Sequence, residues 1–249
     1  MKINWSPLKA ELTFWRQAER PLPIWWRDDD AIATTPALSR LTQISETLGM
    51  PAYIAVIPAH MTPSLVPALN DAPNLIPVIH GWRHQSHAPK GEKNAEFGHL
   101  RPQAESELGL AMDTLEAQFS TQLVKLFVPP WNRFNPDLLP ALTLAGYRGL
   151  STYGPRKAQF AAPNLTQINT HIDPIFWRGH RGLADPTELV EGIVTTLRNR
   201  REGGSDATEP LGLLTHHLVH TEEVWQFTQE VLQVLLDGGA TPADINALL

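Results

Sequence analysis

Short apolar runs alternate with amphipathic stretches along most of this chain. Seven runs have the length and the apolar or β-branched content of buried strands: PLPIWWR, AYIAVIP, NLIPVIH, LVKLFVPP, YRGLSTY, QINTHIDPIFW and PLGLLTHHLVH. Between them, apolar residues recur at helical spacing. The clearest case is AESELGLAMDTLEAQF, which places Leu108, Met112, Leu115 and Phe119 on one stripe. This alternation predicts an α/β protein with a parallel sheet, as a barrel or as an open doubly wound sheet.

Capping residues and loop composition support this alternation. Thr35 can cap a helix that has Pro36 in its first turn and ends at Gly49. RREGGSDATEP is the only linker-like stretch, and we interpret it as a surface loop before the last strand. We therefore predict a single domain spanning residues 1–249.

Composition narrows the range of partners. The chain has 249 residues, a formal net charge of −6 and no basic block, so a nucleic acid is not an expected partner. The net charge favours a neutral or partly cationic small substrate. The absence of cysteine excludes disulfides, thiolate nucleophiles and cysteine-ligated metals.

The hydrophobic runs also bear on location. The first residues carry charges throughout and lack the apolar segment of a secretory signal. No apolar run approaches the roughly 20 residues of a membrane span. We therefore expect a soluble, cytoplasmic protein that does not insert into a membrane.

Polar residues cluster where the predicted strands end. RDDD follows the first strand, HGWRH the third and VPPWN the fourth. His171 and Asp173 lie in the sixth strand, and His216 and His217 in the seventh. In parallel α/β proteins, chemistry gathers at the carboxyl ends of strands, so these segments are predicted to share one site.

Each motif alone has an ordinary explanation. An isolated HxxxH is more often two surface histidines in a polar loop, and DDD is more often a solvated turn. However, carboxylates that follow a buried strand need a cation or hydrogen-bond donors. A divalent metal would supply that charge, and one Asp with two His leaves coordination positions open, as in catalytic sites.

Taken together, the motifs resemble those of the polysaccharide deacetylases (the NodB-homology, carbohydrate esterase 4-like family). The resemblance rests on the Asp pair, HxxxH, a Pro-Pro-aromatic turn and a late L-x-H, and it spans about residues 21–220. It implies a distorted (β/α)7, TIM-like barrel. It also implies one divalent metal ion, most often zinc, held by one Asp and two His.

The resemblance assigns roles to five residues. They are Asp29 as the general base, His216 as the general acid, and Asp30, His80 and His84 as the metal ligands. Two alternatives stay open. The register can move back by one residue, making Asp28 the base and Asp29 the ligand, and His217 can replace His216.

One motif departs from the family pattern. The arginine that normally pairs with the base Asp is Val128 here, which leaves the charge to come from Arg27, Arg83 or Arg133, or leaves the site inactive. Asp173 is placed to support the late histidine.

The resemblance implies an amide hydrolase. We expect it to deacetylate an N-acetylated sugar or glycan intermediate, so that its partner is a small molecule or an oligosaccharide. We expect Trp82, Pro130, Trp131 and Asn132 to contact that substrate, because aromatic faces stack well on sugar rings. The alternatives are a catalytically silent carbohydrate-binding homologue and a hydrolase of non-sugar amides.

Overall fold

A computed structural model describes residues 2–249, which form one nine-stranded sheet surrounded by helices. The strands are β1 (Pro23–Ala31), β2 (Ala52–Val56), β3 (Leu75–His80), β4 (Leu126–Val128), β5 (Gly149–Leu150), β6 (Phe160–Ala162), β7 (Leu165–Gln167), β8 (Leu211–Thr215) and β9 (Thr241–Pro242). Their order is β6-β7-β5-β4-β3-β2-β1-β8, with β9 beside the start of β1. All pairs are parallel except β6 with β7.

Helices connect the parallel strands. They are α1 (Ser6–Gln17), α2 (Pro36–Leu48), α3 (Leu65–Asn70), α4 (Ala104–Phe119), α5 (Leu139–Leu144), α6 (Pro186–Arg201), α7 (Glu222–Asp237) and α8 (Ile245–Leu248). The predicted caps of α2 form: the Thr35 side chain accepts a hydrogen bond from the Leu38 amide, and Gly49 has the left-handed φ of +59°. Within residues 2–249, no helix has both the length and the apolar character needed to cross a membrane.

The two faces of the strands enter different hydrophobic cores. Alternate residues of a strand point to opposite faces, and here one set packs with the helices while the other forms a smaller, separate cluster. The smaller cluster is Trp25, Tyr53, Ala55, Val78, Val124, Leu126, Val128, Ile168 and Ile245. It lines the inside of a curved sheet, and Ile245 of α8 packs against it.

Irregular pairing brings the far edge of the sheet round to β8. Beyond β7, the chain forms isolated parallel bridges from Thr170 to Tyr153 and from Ile172 to Leu213. The Leu214 amide donates to the Ile172 carbonyl at 2.7 Å. This arrangement agrees with the predicted distorted (β/α)7 barrel, and it directs the carboxyl ends of the strands to one rim.

The region around the predicted sixth strand is where the sequence prediction fails. QINTHIDPIFW, residues 167–177, was predicted as one strand, but only its first residue belongs to a strand, β7, and the rest forms single bridges. The short hairpin of β6 and β7 lies just before it. The polar residues Asn169 and Thr170 interrupt the ladder there: the Asn169 side chain accepts from the Thr152 amide at 2.9 Å. The prediction also missed α1, which packs on α6 and α7.

Candidate metal and catalytic site

The three consecutive aspartates end β1 and point in different directions. Arg27 and Asp29 lie on the inner face of the sheet, whereas Asp28 lies on the helix-facing side. At Asp30 the backbone takes a left-handed φ of +75°, and the pairing of β1 with β2 shifts register between Asp28 and Ala31. Because of this irregularity the Asp30 side chain points to the rim of the barrel, and the three adjacent carboxylates point in three different directions.

Asp28 is fully buried and bound to the segment that ends β8. It accepts hydrogen bonds from the Thr215 hydroxyl at 2.6 Å and from the His217 amide at 3.0 Å. Its other oxygen lies 2.5 Å from His217 Nδ1. Burial would raise the pKa of Asp28, but the neighbouring His217 imidazole holds it below its usual value. Asp28 and His217 are thus engaged with each other, away from the metal-ligand candidates.

Asp30, His80 and His84 converge at the rim. Asp30 Oδ1 lies 3.1 Å from His80 Nε2 and 3.2 Å from His84 Nε2. His80 ends β3 and is buried, and His84 lies on the following turn with a left-handed φ of +53°. Within residues 2–249, these are the one set of three or more His, Asp or Glu side chains whose ligand atoms all lie within 4.8 Å of one another.

The donor set fits a divalent cation. His80 Nδ1 lies 2.9 Å from the Val128 carbonyl and must donate to it, which leaves Nε2 to bind a cation or a second proton. Two imidazoles and a carboxylate are ligands that zinc accepts, and tetrahedral ligands at ~2.0–2.1 Å from zinc lie roughly 3.3 Å apart. Asp30, His80 and His84 would therefore hold a metal ion, with at least one coordination position left for water or substrate.

A buried carboxylate holds the turn between the two histidines. Glu96 is 1% exposed, and it accepts the backbone N–H groups of Trp82, Arg83 and His84 at 3.1, 2.7 and 3.2 Å. At Gly81, φ is +58° and a Cβ would lie only 2.2 Å from Glu96 Oε2. Glycine is therefore required at position 81 because the carboxylate of Glu96 fills the space beside it.

Replacing Glu96 with glutamine is expected to weaken metal binding about 10- to 100-fold, the cost typical of changes in groups that support metal ligands. The amide would offer one acceptor oxygen, and its NH₂ group would face backbone N–H donors. Zinc titration by isothermal calorimetry measures the effect. Glu92→Gln is the matched control, because Glu92 lies in the same loop but is exposed. Equal zinc affinity in both variants would contradict this role of Glu96.

Asp29 is held by an arginine from its own strand. Arg27 Nε donates to Asp29 Oδ1 at 2.9 Å and Arg27 Nη2 donates to Oδ2 at 3.0 Å. The guanidinium is fully buried and also donates to Asn132 Oδ1 and Ser151 Oγ, both at 2.7 Å. A bidentate pair of this kind fixes the orientation of the carboxylate and compensates its charge.

His216 faces the same rim from the end of β8. Its ring contacts the edge of Trp177, with centroids 4.7 Å apart. Asp173 accepts from Trp177 Nε1 at 2.7 Å and from the Ile175 amide at 3.0 Å. Burial raises the pKa of Asp173, and the charge of His216 partly offsets this effect. The side-chain bonds of Asp173 thus go to its own loop, whose Trp177 in turn contacts His216.

The expected substrate-contacting residues separate into two groups. Trp131 lies at the rim with a left-handed φ of +57°, and the centroids of the Trp131 and His84 rings are 4.3 Å apart. Trp82 is only 9% exposed and packs in the core, which leaves little surface for a sugar ring. Pro130 is buried beside Gly81, and Asn132 binds Arg27. Of the four, Trp131 has the surface best suited to a ligand.

Several functional candidates escaped the sequence analysis. Trp177 follows Asp173 by four residues, a spacing that could have drawn attention to it. Glu96 and Ser151 gave no signal, because a lone Glu in a polar loop and a lone Ser after a strand have no distinguishing pattern.

Solved structures similar to this chain share its fold. A family 4 carbohydrate esterase from Streptomyces lividans, in complex with acetate, is 16% identical, with 90% of this chain and 92% of that chain covered and a TM-score of 0.55. A family 4 acetyl xylan esterase from Clostridium thermocellum, in complex with a cobalt ion, is 12% identical, with 90% and 89% covered and a TM-score of 0.54.

A third similar structure is a CE4 family pseudoenzyme from Bacillus anthracis. It is 14% identical, with 92% of this chain and 65% of that chain covered and a TM-score of 0.59. No protein-family model matches the sequence. No curated protein matches it either. At such low identity the likeness concerns the fold alone. The expected resemblance is confirmed at that level: this chain has the distorted barrel fold of the family 4 carbohydrate esterases, which include the polysaccharide deacetylases.

Proposed function

We propose that this protein is a metal-dependent hydrolase of amide bonds that deacetylates an N-acetylated sugar or glycan intermediate, with zinc as its metal ion. The main support is one observation: the ligand atoms of Asp30, His80 and His84 converge beside a second carboxylate, Asp29, that is held by an arginine. A set of metal ligands next to an oriented base is what amide hydrolysis by water requires.

The chain's own residues would move the protons of this reaction. A bound divalent ion would polarise the amide carbonyl and acidify a water molecule. Asp29 would take the proton of the attacking water at a carboxylate oxygen, since each oxygen retains a lone pair beside its bond from Arg27. The imidazole of His216 would donate a proton to the departing nitrogen, with Trp177 setting its position.

The Arg27–Asp29 pair supports an active enzyme over a silent homologue. Val128 occupies the position where the resemblance leads one to expect an arginine, and its side chain lies on the inner face of the sheet. Arg27 points to the same inner space and reaches both oxygens of Asp29. We propose that the function of the missing arginine has moved from β4 to β1.

Arg27→Gln is expected to lower the free energy of unfolding by about 3–5 kcal/mol, because it leaves a buried carboxylate without its partner. Turnover is expected to fall at least about tenfold, as Asp29 loses its fixed orientation. In the double variant Arg27→Gln/Val128→Arg, part of both losses should be recovered. Thermal unfolding measures the loss of stability and acetate release measures the loss of turnover, with Val128→Arg alone as the control. No gain over Arg27→Gln would argue against the relocation.

The function itself is tested by acetate release from a panel of N-acetylated compounds. The zinc-loaded protein should hydrolyse N-acetylated amino sugars or short glycans, and metal removal should stop the reaction. Release from non-sugar amides alone would reassign the substrate class. Sugar binding without hydrolysis of any compound would favour the silent homologue.

Two adjacent histidines provide a matched pair of variants. His216→Ala is expected to lower kcat by about 10²–10⁴, the usual contribution of a general acid, with little effect on unfolding. His217→Ala is expected to destabilise the fold instead, by about 3–5 kcal/mol, because Asp28 loses its buried partner. Kinetics and thermal unfolding of both variants separate these effects. The reverse pattern would make His217 the acid.

A further inference from the structure

The loop that follows Asp173 is a small hairpin with a basic tip. Residues 175–183, the basic hairpin, are joined by an antiparallel bridge between Ile175 and Leu183. The Phe176 amide donates to the Gly182 carbonyl at 2.9 Å, and the Arg181 amide donates to the Phe176 carbonyl at 3.2 Å. The tip has the sequence WRGHR and is exposed.

The hairpin has a defined shape. A Cβ at Gly179 would lie 2.3 Å from the ring of the exposed Phe176, so a larger residue there would displace that ring. Arg181 has a left-handed φ of +56°, a conformation that costs about 1–2 kcal/mol for a residue with a Cβ.

The hairpin lies beside the proposed catalytic acid. The Trp177 ring contacts His216 on one side, with centroids 4.7 Å apart, and the Arg181 guanidinium lies 5.9 Å from the Trp177 centroid. Trp177 is 38% exposed, so part of its surface is open to a ligand. A sugar ring that rests on Trp177 would therefore have the guanidinium within reach of its substituents.

The two arginines of the tip lack acidic partners. Across residues 2–249, neither Arg178 nor Arg181 forms an ion pair. The same holds for Arg16, Arg20, Arg83, Arg133 and Arg148, whereas the other seven arginines of the chain are paired. The examples include Arg40 with Glu222, Arg101 with Glu107 and Arg156 with Asp206. Residues 175–183 contain no Asp or Glu, and the bonds of the neighbouring Asp173 carboxylate go to Ile175 and Trp177. The hairpin itself is therefore positively charged, in a chain whose net charge is −6.

We propose that the basic hairpin binds an anionic group, a phosphate or a carboxylate, carried by the N-acylated sugar that is the substrate. This inference rests on the proposed function and narrows it to anionic sugars. It differs from the expectation of a neutral or partly cationic substrate drawn from net charge, because charges close to a bound ligand act on it more strongly than the net charge of the whole chain.

The test measures binding, so it does not require turnover. The zinc-loaded protein is titrated with N-acetylglucosamine, N-acetylglucosamine 6-phosphate and N-acetylglucosaminuronic acid by isothermal calorimetry. We expect at least one anionic sugar to bind about tenfold or more tightly than the neutral one. Tighter binding of the phosphate alone would identify a phosphate as the anionic group. Tighter binding of both the phosphate and the uronic acid would show that either anion is accepted. The preference should shrink as salt rises from about 50 to about 500 mM.

Charge-matched variants locate the effect. Arg178→Gln/Arg181→Gln should remove the preference and leave the affinity for N-acetylglucosamine unchanged. The control Arg16→Gln/Arg148→Gln removes the same charge at exposed arginines on α1 and before β5, and it should keep the preference. Equal affinity for neutral and anionic sugars, or equal effects of both double variants, would overturn the inference. Acetate release from the neutral sugar would still support the proposed function in that case.

Discussion

Replacing His80 with alanine is expected to abolish metal binding and, with it, hydrolysis. His80 Nε2 lies 3.1 Å from Asp30 Oδ1, and its Nδ1 is fixed by the Val128 carbonyl at 2.9 Å, so the ring is oriented before any ion arrives. Removing a preoriented ligand leaves two donors, too few for a stable zinc site. Elemental mass spectrometry of protein purified without a His-tag should find about one divalent ion per chain in the wild type and almost none in the variant.

His87→Ala is the matched control for this experiment. His87 lies three residues beyond His84 in the same loop and is exposed. It should retain the ion and the activity. Equal metal content in wild type and His80→Ala would exclude His80 as a ligand. Absence of metal from both, even after zinc is added, would remove the basis of the proposed hydrolase.

The second large effect, a loss of kcat, is expected from Asp29→Asn. The change keeps the shape of the side chain but removes the base, and a general base contributes about 10²–10⁴ in kcat. Metal content should stay near that of the wild type, because Asp29 is not among the three proposed ligands, Asp30, His80 and His84. Stopped or steady-state assays of acetate release, together with metal analysis, separate loss of the base from loss of the ion.

Asp28→Asn tests the register of the aspartates. Asp28 is buried against Thr215 and His217, so its replacement should lower the temperature of unfolding while the folded protein keeps its metal and most of its turnover. If Asp28→Asn lost kcat and Asp29→Asn did not, the base would be Asp28 and the chosen register would be wrong.

The fold could be predicted from the sequence where the hydrophobic pattern is strong. The predicted helix AESELGLAMDTLEAQF coincides with α4, because its apolar stripe is regular and its ends are clear. The strands β2 and β3 were also predicted correctly, because AYIAVIP and NLIPVIH are short, continuous apolar runs. The hairpin of β6 and β7 was missed, since its strands have three residues each and carry too few side chains to show a period.

The site was predictable in part, because motifs that follow successive parallel strands meet at the same rim of the barrel. Asp30, His80 and His84 were named as ligands through the family resemblance, and they do converge. The direction of each aspartate was not predictable, since it depends on the left-handed backbone at Asp30. Glu96 was beyond reach for a different reason. Its partners are backbone N–H groups, which leave no trace in the identity of the residues that carry them.

The placement of Arg27 and Asp29 two residues apart on β1 has an evolutionary consequence. A base and its cation that come from different strands must be maintained by selection at two distant positions, and loss of either disables both. Here both are encoded within three consecutive codons and share a strand face whatever happens elsewhere. A change at Val128 in β4 would therefore leave both members of this pair encoded together on β1. The loop after β4 is less free to change, because its Asn132 accepts a hydrogen bond from Arg27.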